Sequence, residues 1–244
     1  MLKTRYLVLI TLLSFIVSLA ATVPVSLIWK YVEPYVAIPG VKIAEPQGTL
    51  WQGQTQVTWQ RETAQASWSI SPWSLFLARL SSDIQVSGSG FDVTANAQLG
   101  PGGYSLTHVN GYVDDTLINP RLRAFKATLS GRFWLDELAA QGEWEKILTS
   151  ASGEVRWTGG NVSYPVGRET RNPKIVQLVA RLSTVDNVVR LSVEDPDNVP
   201  VVSGQVAEDG WATLNVHQHL MKVANERWPD NDRDIVFDMK QKIF

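Results

Sequence analysis

The stretch GTLWQGQTQVTWQ, residues 48–60, decides the fold class of this chain. From residue 51 onward, apolar or β-branched residues alternate with glutamine and other polar residues. One side carries Trp51, Thr55, Val57 and Trp59, and the other carries Gln52, Gln54, Gln56, Thr58 and Gln60. A period of two residues is typical of a β-strand with one apolar and one polar face.

The same period returns along the chain, at residues 91–99, 129–135, 189–194 and 212–220. Glycine recurs near the starts of these runs, which is typical of β-bulges and bends. The connections are short and contain no long helix, so the strands are expected to pair antiparallel. The sequence therefore predicts a mainly β protein, built on a curved, mostly antiparallel sheet with one or two short helices.

Two segments are candidates for the short helices. Ser71 and Pro72 are suited to the N-cap and the first position of a helix that continues to residue 80. Residues 143–150 could form one or two helical turns. Residues 171–184 begin with a helix-start pattern but then alternate, so a strand is favoured there.

The N-terminus carries a long apolar segment. No residue from Tyr6 to Trp29 is charged, and about 20 apolar residues suffice to cross the hydrocarbon core of a bilayer. Lys3 and Arg5 precede the segment and keep the short N-terminal side in the cytoplasm. Trp29 and Lys30 at the other end are typical of a membrane interface. These anchor residues predict a single transmembrane helix over 6–29.

The predicted boundaries are a cytoplasmic stub at 1–5, the transmembrane helix at 6–29, a proline-containing linker at 30–47 and a β-rich domain at 48–244. The alternative for the N-terminus is a cleaved signal peptide that ends near Ser18-Leu19-Ala20. The apolar run continues beyond that site, which favours the anchor. Both alternatives place the β-rich domain on the far side of the membrane.

Composition excludes several classes of protein. The chain has 244 residues, of which 44% are hydrophobic and 19% charged, so there is enough apolar material for a core. It has no Cys, which excludes disulfides, Cys metal ligands and a Cys nucleophile. Residues 31–244 carry 19 of the 22 basic residues and all 24 acidic ones. This acidic balance, without a basic cluster, argues against nucleic-acid binding.

No motif predicts catalysis, a cofactor or a metal site. His217 and His219 are the best metal candidate, because residues two apart in a strand point to the same side. No further ligands accompany them in the sequence. The aspartates at 114–115 and 195–197 fall in turn-like stretches, where Asp is favoured for backbone reasons. The chain is therefore predicted not to be an enzyme.

Nine of the ten tryptophans lie after residue 48. Packing in a core is the default interpretation of these large side chains. The alternative is an exposed aromatic surface that binds a partner protein or acyl chains. Trp211 is the candidate for such a partner surface, because it falls on the polar side of its predicted strand.

The layout of the chain resembles the protein N family of bacterial type II secretion systems. The most specific part of the resemblance is a motif near the start of the β-rich domain, formed by Gly48, Thr49, Leu50, Trp51 and Gly53. The block WSISPWSL at 68–75 and the stretch at 203–212, which looks like the family's final hairpin, support it. The resemblance covers nearly the whole chain in layout.

The resemblance implies an inner-membrane protein with one span, a cytoplasmic N-terminus and a periplasmic β-rich body. It implies an accessory part of the machinery that moves folded proteins from the periplasm across the outer membrane, without enzymatic activity or cofactor. Its partners would be other subunits of that system.

The layout is also similar to AsmA-type envelope proteins, whose curved sheet is associated with lipid handling. A lipid-binding or lipid-transfer protein is therefore the alternative function. A lipid carrier should expose an apolar groove, whereas a secretion subunit should present polar or mixed surfaces and an open sheet edge.

Overall fold

A computed structural model describes residues 4–36, 40–59, 62–146, 148–166, 169–226 and 234–242. The chain forms two compact units, residues 1–89 and residues 90–244. Antiparallel strands form the sheets of both units and account for most of the second, so the predicted mainly β class is confirmed.

The described residues form four α-helices and two 3₁₀ helices. The α-helices are α1 (Thr4–Thr22), α2 (Val25–Val36), α3 (Asp115–Leu122) and α4 (His219–Val223), and the 3₁₀ helices are Pro72–Leu77 and Arg123–Phe125. The helix predicted after Ser71 is thus present as a 3₁₀ helix, but it ends at Leu77, and residue 80, its predicted end, begins a strand. Residues 143–150 contain the end of a strand and a turn in their described part, so the helix predicted there is wrong.

The N-terminal segment differs from the predicted helix over 6–29. Helix α1 ends at Thr22 and α2 begins at Val25. The break lies at Pro24, which lacks an amide hydrogen and disfavours a helical residue before it. The freed carbonyl of Val23 accepts a hydrogen bond from the amide of Leu50 at 3.1 Å.

Trp29 and Lys30 lie inside α2, so the start of the predicted extended linker is helical as far as Val36. Lys3 and the side chain of Arg5 lie outside the described residues. In the part of the chain that the structure describes, no helix combines the length and apolar composition needed to cross a membrane. The single span predicted over 6–29 is therefore not found there.

The described part of the first unit contains five strands. They are β1 (Val41–Ile43), β2 (Gln47–Gly48), β3 (Gln52–Trp59), β4 (Glu62–Ile70) and β5 (Leu80–Gly88). Their order is β1-β3-β4-β5, and β2 also pairs with β3. The strand predicted from the 48–60 stretch is therefore present, divided by a turn between β2 and β3.

The second unit contains a longer sheet. Its strands are β6 (Phe91–Gly100), β7 (Gly103–Asp114), β9 (Arg132–Glu143), β10 (Ser150–Trp157), β14 (Leu178–Val185), β15 (Val188–Glu194), β16 (Pro200–Val206), β17 (Trp211–His217) and β18 (Ile235–Lys242). They pair antiparallel in that order. The register of β9 and β10 shifts between Ser152 and Glu154, a bulge of the kind that glycine within strands predicts.

A small second sheet completes this unit. It consists of β8 (Thr128–Leu129), β11 (Gly160–Val166), β12 (Glu169–Arg171) and β13 (Lys174–Ile175). The described part of residues 171–184 is therefore built from strands without a helix, as favoured from the sequence.

The core of the second unit lies beside the small sheet. Trp157 stacks on Phe133 with ring centroids 6.0 Å apart, and its indole Nε1 donates to the carbonyl of Ser130 at 3.1 Å. Ile175 of the small sheet and Ala224, next to α4, pack against this pair. Trp157 is therefore a core residue, as the default interpretation of the tryptophans predicted.

Candidate interaction surfaces

The family motif forms the tight turn between β2 and β3. The side chain of Thr49 accepts a hydrogen bond from the amide of Gln52 at 3.1 Å. Gly48 has a φ of +103°, a conformation that side chains rarely adopt. The motif is therefore a structural turn whose residues are selected by backbone geometry.

Trp68 of β4 closes this turn from the neighbouring strand. Its ring lies so close to Gly53 that a β-carbon there would overlap the indole. Its Nε1 donates to the carbonyl of Leu50 at 3.1 Å. The spacing of Gly53 and Trp68 is thus explained by one cross-strand contact, because β3 pairs with β4 with these two residues opposite each other.

The N-terminal helical segment contacts the same turn. Pro24 forms an isolated antiparallel bridge with Thr49, next to the hydrogen bond between Leu50 and Val23. Val25, at the start of α2, is buried. The motif residues therefore join the apolar N-terminal segment to the first sheet.

The second unit carries a groove of about 960 Å³ on one face of its sheet. The side chains on this face come from alternate positions of β14 to β17 and are mainly hydroxyls, amides and charges. The uncharged polar ones are Ser183, Ser192, Ser203, Gln205, Thr213 and Asn215. Most of the residues that line the groove are therefore polar or charged, and the uncharged ones named here lie on the polar sides of their strands.

Charged residues cross one end of the groove as an alternating ladder. Arg181 binds Glu154 at 3.3 Å through Nε and also forms a short ion pair with Glu194. Arg156 contacts Glu154 at 3.3 Å and Asp136 at 3.8 Å. These carboxylates are therefore already neutralised in part by cations of neighbouring strands.

Arg190 is the exception in this groove. Among the described side chains, none forms an ion pair with Arg190. It lies opposite Ser183 on β14 and Gln205 on β16, both of which line the groove. An exposed guanidinium beside uncharged donors and acceptors is suited to a carboxylate brought by another molecule.

Trp211, the predicted partner residue, begins β17 and is 40% exposed. It shares the polar side of the strand with Thr213 and Asn215 of the groove. The ammonium of Lys240 lies 5.1 Å from the centre of its ring. Trp211 is therefore accessible, and its contact with a partner stays a prediction.

The two histidines of the metal candidate do not face each other along one strand. β17 ends at His217, and His219 begins α4. His219 Nε2 lies 2.6 Å from Asp195 Oδ2, whereas His217 Nδ1 lies 2.7 Å from Asp234 Oδ2. In the described ranges, no group of three or more His, Asp or Glu side chains could hold a metal ion.

Asp195 is the most enclosed of these carboxylates, with 6% of the residue exposed. Its Oδ1 accepts hydrogen bonds from the amides of Asp197 and Val199 at 3.0 and 2.9 Å. The hydrogen bond with His219 lowers the pKa of Asp195 most, and the two amide bonds lower it further against the effect of burial. The ionised carboxylate thus ties the 195–199 turn to α4.

His217 also contacts Ser203, since its Nε2 lies 2.8 Å from Ser203 Oγ. The order Ser203, His217, Asp234 has the connectivity of a nucleophilic triad. Ser203 stands in the middle of β16, however, which pairs with β15 and with β17. Ladder hydrogen bonds occupy the neighbouring amides, so they do not form the free donor pair that an oxyanion requires.

Sequence reasoning did not identify Arg190 or the charged ladder. The alternation of Arg190, Ser192 and Glu194 was visible as a polar strand face. Which residues of other strands stand beside them depends on register, and nothing in the local pattern specifies it.

These features define an antiparallel β-sheet protein with an apolar N-terminal helical segment and a polar groove on its larger sheet. Residues 39–230 match the family model described as type II secretion system (T2SS), protein N, and the chain belongs to that family. The resemblance carried by the motif at 48–53 is thereby confirmed. Comparison with curated proteins and with solved structures finds no match.

Proposed function

We propose that this protein is an accessory component of the type II secretion system that supports export of folded periplasmic proteins through contacts with other subunits. Family membership supports a place in type II secretion. The observation that carries the finer role is the polar groove of the second unit, with an unpaired arginine among its described side chains. Polar, partly charged surfaces of this kind are typical of non-obligate protein contacts.

We also propose that the N-terminal segment attaches the chain to the inner membrane, with the N-terminus in the cytoplasm and residues 48–244 in the periplasm. Support comes from the exposed apolar side chains of α1, which are Tyr6, Val8, Ile10, Leu12, Phe15 and Leu19. A large exposed apolar surface requires lipid or a partner to cover it. Lys3 and Arg5 support the orientation from the sequence.

The proposed role is non-enzymatic. Ser203 would be the nucleophile if the contact with His217 were catalytic, but it lacks free oxyanion donors. A fluorophosphonate probe should therefore leave the purified full chain unlabelled. Labelling that disappears in a Ser203→Ala variant would contradict the non-enzymatic role.

Site-specific photo-crosslinking in cells tests the groove. A photoreactive amino acid in place of Gln205, an exposed groove residue, should capture another secretion subunit. The matched control is the same substitution at Asn187, an exposed turn residue between β14 and β15 that does not line the groove. Equal capture at both positions, or capture of no subunit from the groove, would overturn the proposed surface.

Lipid handling is the second candidate, and one observation favours it. The opposite face of the same sheet is apolar, with Leu182, Leu191 and Leu214 in one row across β14 to β17. Met239 and Phe237 on β18 extend this face and are exposed. A photoreactive residue at Met239 that captures phospholipid, together with normal secretion in a deletion strain, would favour a lipid carrier.

A further inference from the structure

The 3₁₀ turn Pro72–Leu77 of the first unit is an exposed apolar surface that neither the family motif nor the groove explains. Trp73, Phe76 and Leu77 are 76%, 82% and 74% exposed, and Leu75 is exposed as well. No charged residue occurs from Ser71 to Ala78. Four large apolar side chains together on one short turn are unusual on a protein surface that meets only water.

Hydrogen bonds hold this turn in place from its polar side. Ser74 donates its hydroxyl hydrogen to the carbonyl of Ser71 at 2.6 Å and accepts the amide of Ser81 at 3.1 Å. The amides of Ala78 and Arg79 bond to the carbonyls of Leu75 and Ser74 at 3.0 and 3.1 Å. The polar side chain therefore binds the turn to strand β5, while the four apolar side chains of the turn remain exposed.

The two aromatic rings of the turn also support each other. Trp73 and Phe76 stack with centroids 5.7 Å apart and an angle of 29° between their planes. This contact presents them as one aromatic surface. Apolar side chains that already hold a fixed arrangement lose little conformational entropy when they become buried in another molecule or in a lipid bilayer.

The location of the turn indicates what covers it. In the antiparallel pair β3–β4, Gln52 lies opposite Ser69 at one end, and Trp59 lies opposite Glu62 at the other. The 3₁₀ turn follows β4 at the Gln52 end. The bridge between Pro24 and Thr49 lies at this same end, so the apolar helix α1 is joined to the sheet beside the turn.

We propose that the Pro72–Leu77 turn inserts into the surface of the lipid bilayer, as a second membrane contact beside the N-terminal segment. Trp is suited to the boundary between headgroups and acyl chains, and Phe and Leu to the acyl region below it. Arg79 follows the turn and can bind anionic headgroups. This proposal rests on the proposed membrane attachment, because a membrane-bound α1 brings the lipid bilayer close to the turn.

The absence of Cys from the natural sequence permits single-site labelling of the full chain. Three variants, Phe76→Cys, Leu12→Cys and Thr63→Cys, each carry a nitroxide label after reconstitution in vesicles of phosphatidylethanolamine and phosphatidylglycerol. Leu12 reports on α1. Thr63, exposed at the opposite end of β4, is the matched water-facing control. Relaxation by oxygen, which concentrates in lipid, is compared with relaxation by a water-soluble nickel complex.

The expected result is a lipid-exposed label in the Phe76→Cys and Leu12→Cys variants and a water-exposed label in the Thr63→Cys variant. A water-exposed label at position 76 with a lipid-exposed label at position 12 overturns the insertion of the turn but leaves the attachment standing. Water exposure at both positions overturns both proposals. A label at position 76 that neither reagent reaches means that protein covers the turn, which also overturns insertion.

A second measurement does not depend on the label. The Trp73→Ser/Phe76→Ser double variant should reduce quenching of tryptophan fluorescence by lipids brominated near the headgroup. The control is Trp144→Ser, which removes an exposed tryptophan of the second unit. A loss of quenching that is equal in both variants contradicts the proposal.

Discussion

Gly53 shows how one residue connects the family motif to the first sheet. A β-carbon at this position would overlap the ring of Trp68 and lie 2.7 Å from the carbonyl oxygen of Gln47. The indole Nε1 of Trp68 in turn donates to the carbonyl of Leu50, and the amide of Leu50 donates to the carbonyl of Val23. Steric contacts and hydrogen bonds at the junction with the N-terminal helices thus explain the residues of the family motif.

We predict that Gly53→Ala lowers the free energy of unfolding by about 1–3 kcal/mol, because the Trp68 ring must move away from the added methyl group. Chemical denaturation followed by near-ultraviolet circular dichroism measures both the stability and the tryptophan environment. The control is Gly102→Ala, because a β-carbon there meets no atom within 4 Å. Equal stability of the two variants would contradict the steric role of Gly53.

Asp195 is one of the residues whose protonation the fold opposes. Its folded pKa lies below the ordinary value, chiefly through His219. Its contribution to stability is therefore complete above an unfolded pKa of about 3.9 and is lost as the pH falls through the lower folded pKa.

We predict that Asp195→Asn lowers the free energy of unfolding by about 1–3 kcal/mol at neutral pH, because the charged acceptor of His219 and two amides is lost. The difference from the unsubstituted chain should shrink below a pH of about 4. Urea unfolding at a series of pH values measures it, with Asp238→Asn, an exposed residue of β18, as the control. A difference that stays constant down to pH 3 would contradict the assigned cause.

At the scale of elements, α3 is one of the helices that sequence patterns did not predict. It begins after Asp114 and contains Pro120, and none of its residues is buried. Its position depends on Asn119, whose Nδ2 donates to the carbonyl of Leu129 at 2.9 Å and whose Oδ1 accepts the amide of Leu129 at 2.8 Å. A side chain of the helix therefore pairs with strand β8, much as a neighbouring strand would.

We predict that Asn119→Ala removes amide hydrogen-exchange protection from residues 115–129 while the β14–β17 strands keep theirs. Loss of both bonds to a partly buried peptide group should cost about 1–3 kcal/mol, concentrated in this segment. Asn119→Asp keeps the acceptor but places a carboxylate oxygen against the Leu129 carbonyl. Its hydrogen-exchange protection should therefore lie between that of the unsubstituted chain and that of the Asn119→Ala variant. Uniform loss of protection across the unit would contradict a local role.

At the scale of the whole molecule, the two units carry different candidate contact surfaces. The first unit carries α1 and the Pro72–Leu77 turn, both with exposed apolar side chains. The second unit carries the polar groove and the charged ladder. This distribution matches a protein that we propose to meet the membrane through one unit and other proteins through the other.

We predict that a strain lacking this protein accumulates type II cargo in the periplasm, and that a plasmid copy carrying Arg190→Glu fails to restore export. The reason is that a carboxylate at this position would repel the acidic group for which the groove is suited. Lys42→Glu, on exposed strand β1 of the first unit, should restore export. Full export with the Arg190→Glu copy, at normal protein levels, would show that export does not require the groove arginine.

The sequence by itself determined the mainly β class, the strand over 52–59, the start of a short helix after Ser71 and the family. These follow from local rules, since side-chain alternation, proline position and glycine conformation act over a few residues. The 6–29 segment shows the limit of such rules: hydropathy predicted one continuous helix, and Pro24 together with the β2–β3 turn divided it.

Only the tertiary structure decided which side chains meet and which remain exposed. Arg181, Ser192, Ser203 and Asn215 stand in one row because four strands pair in a particular register. Trp157 and Trp73 are the same amino acid, yet one is buried and the other is 76% exposed. Register and burial arise from contacts between distant parts of the chain, so the local periods that predict a strand leave them open.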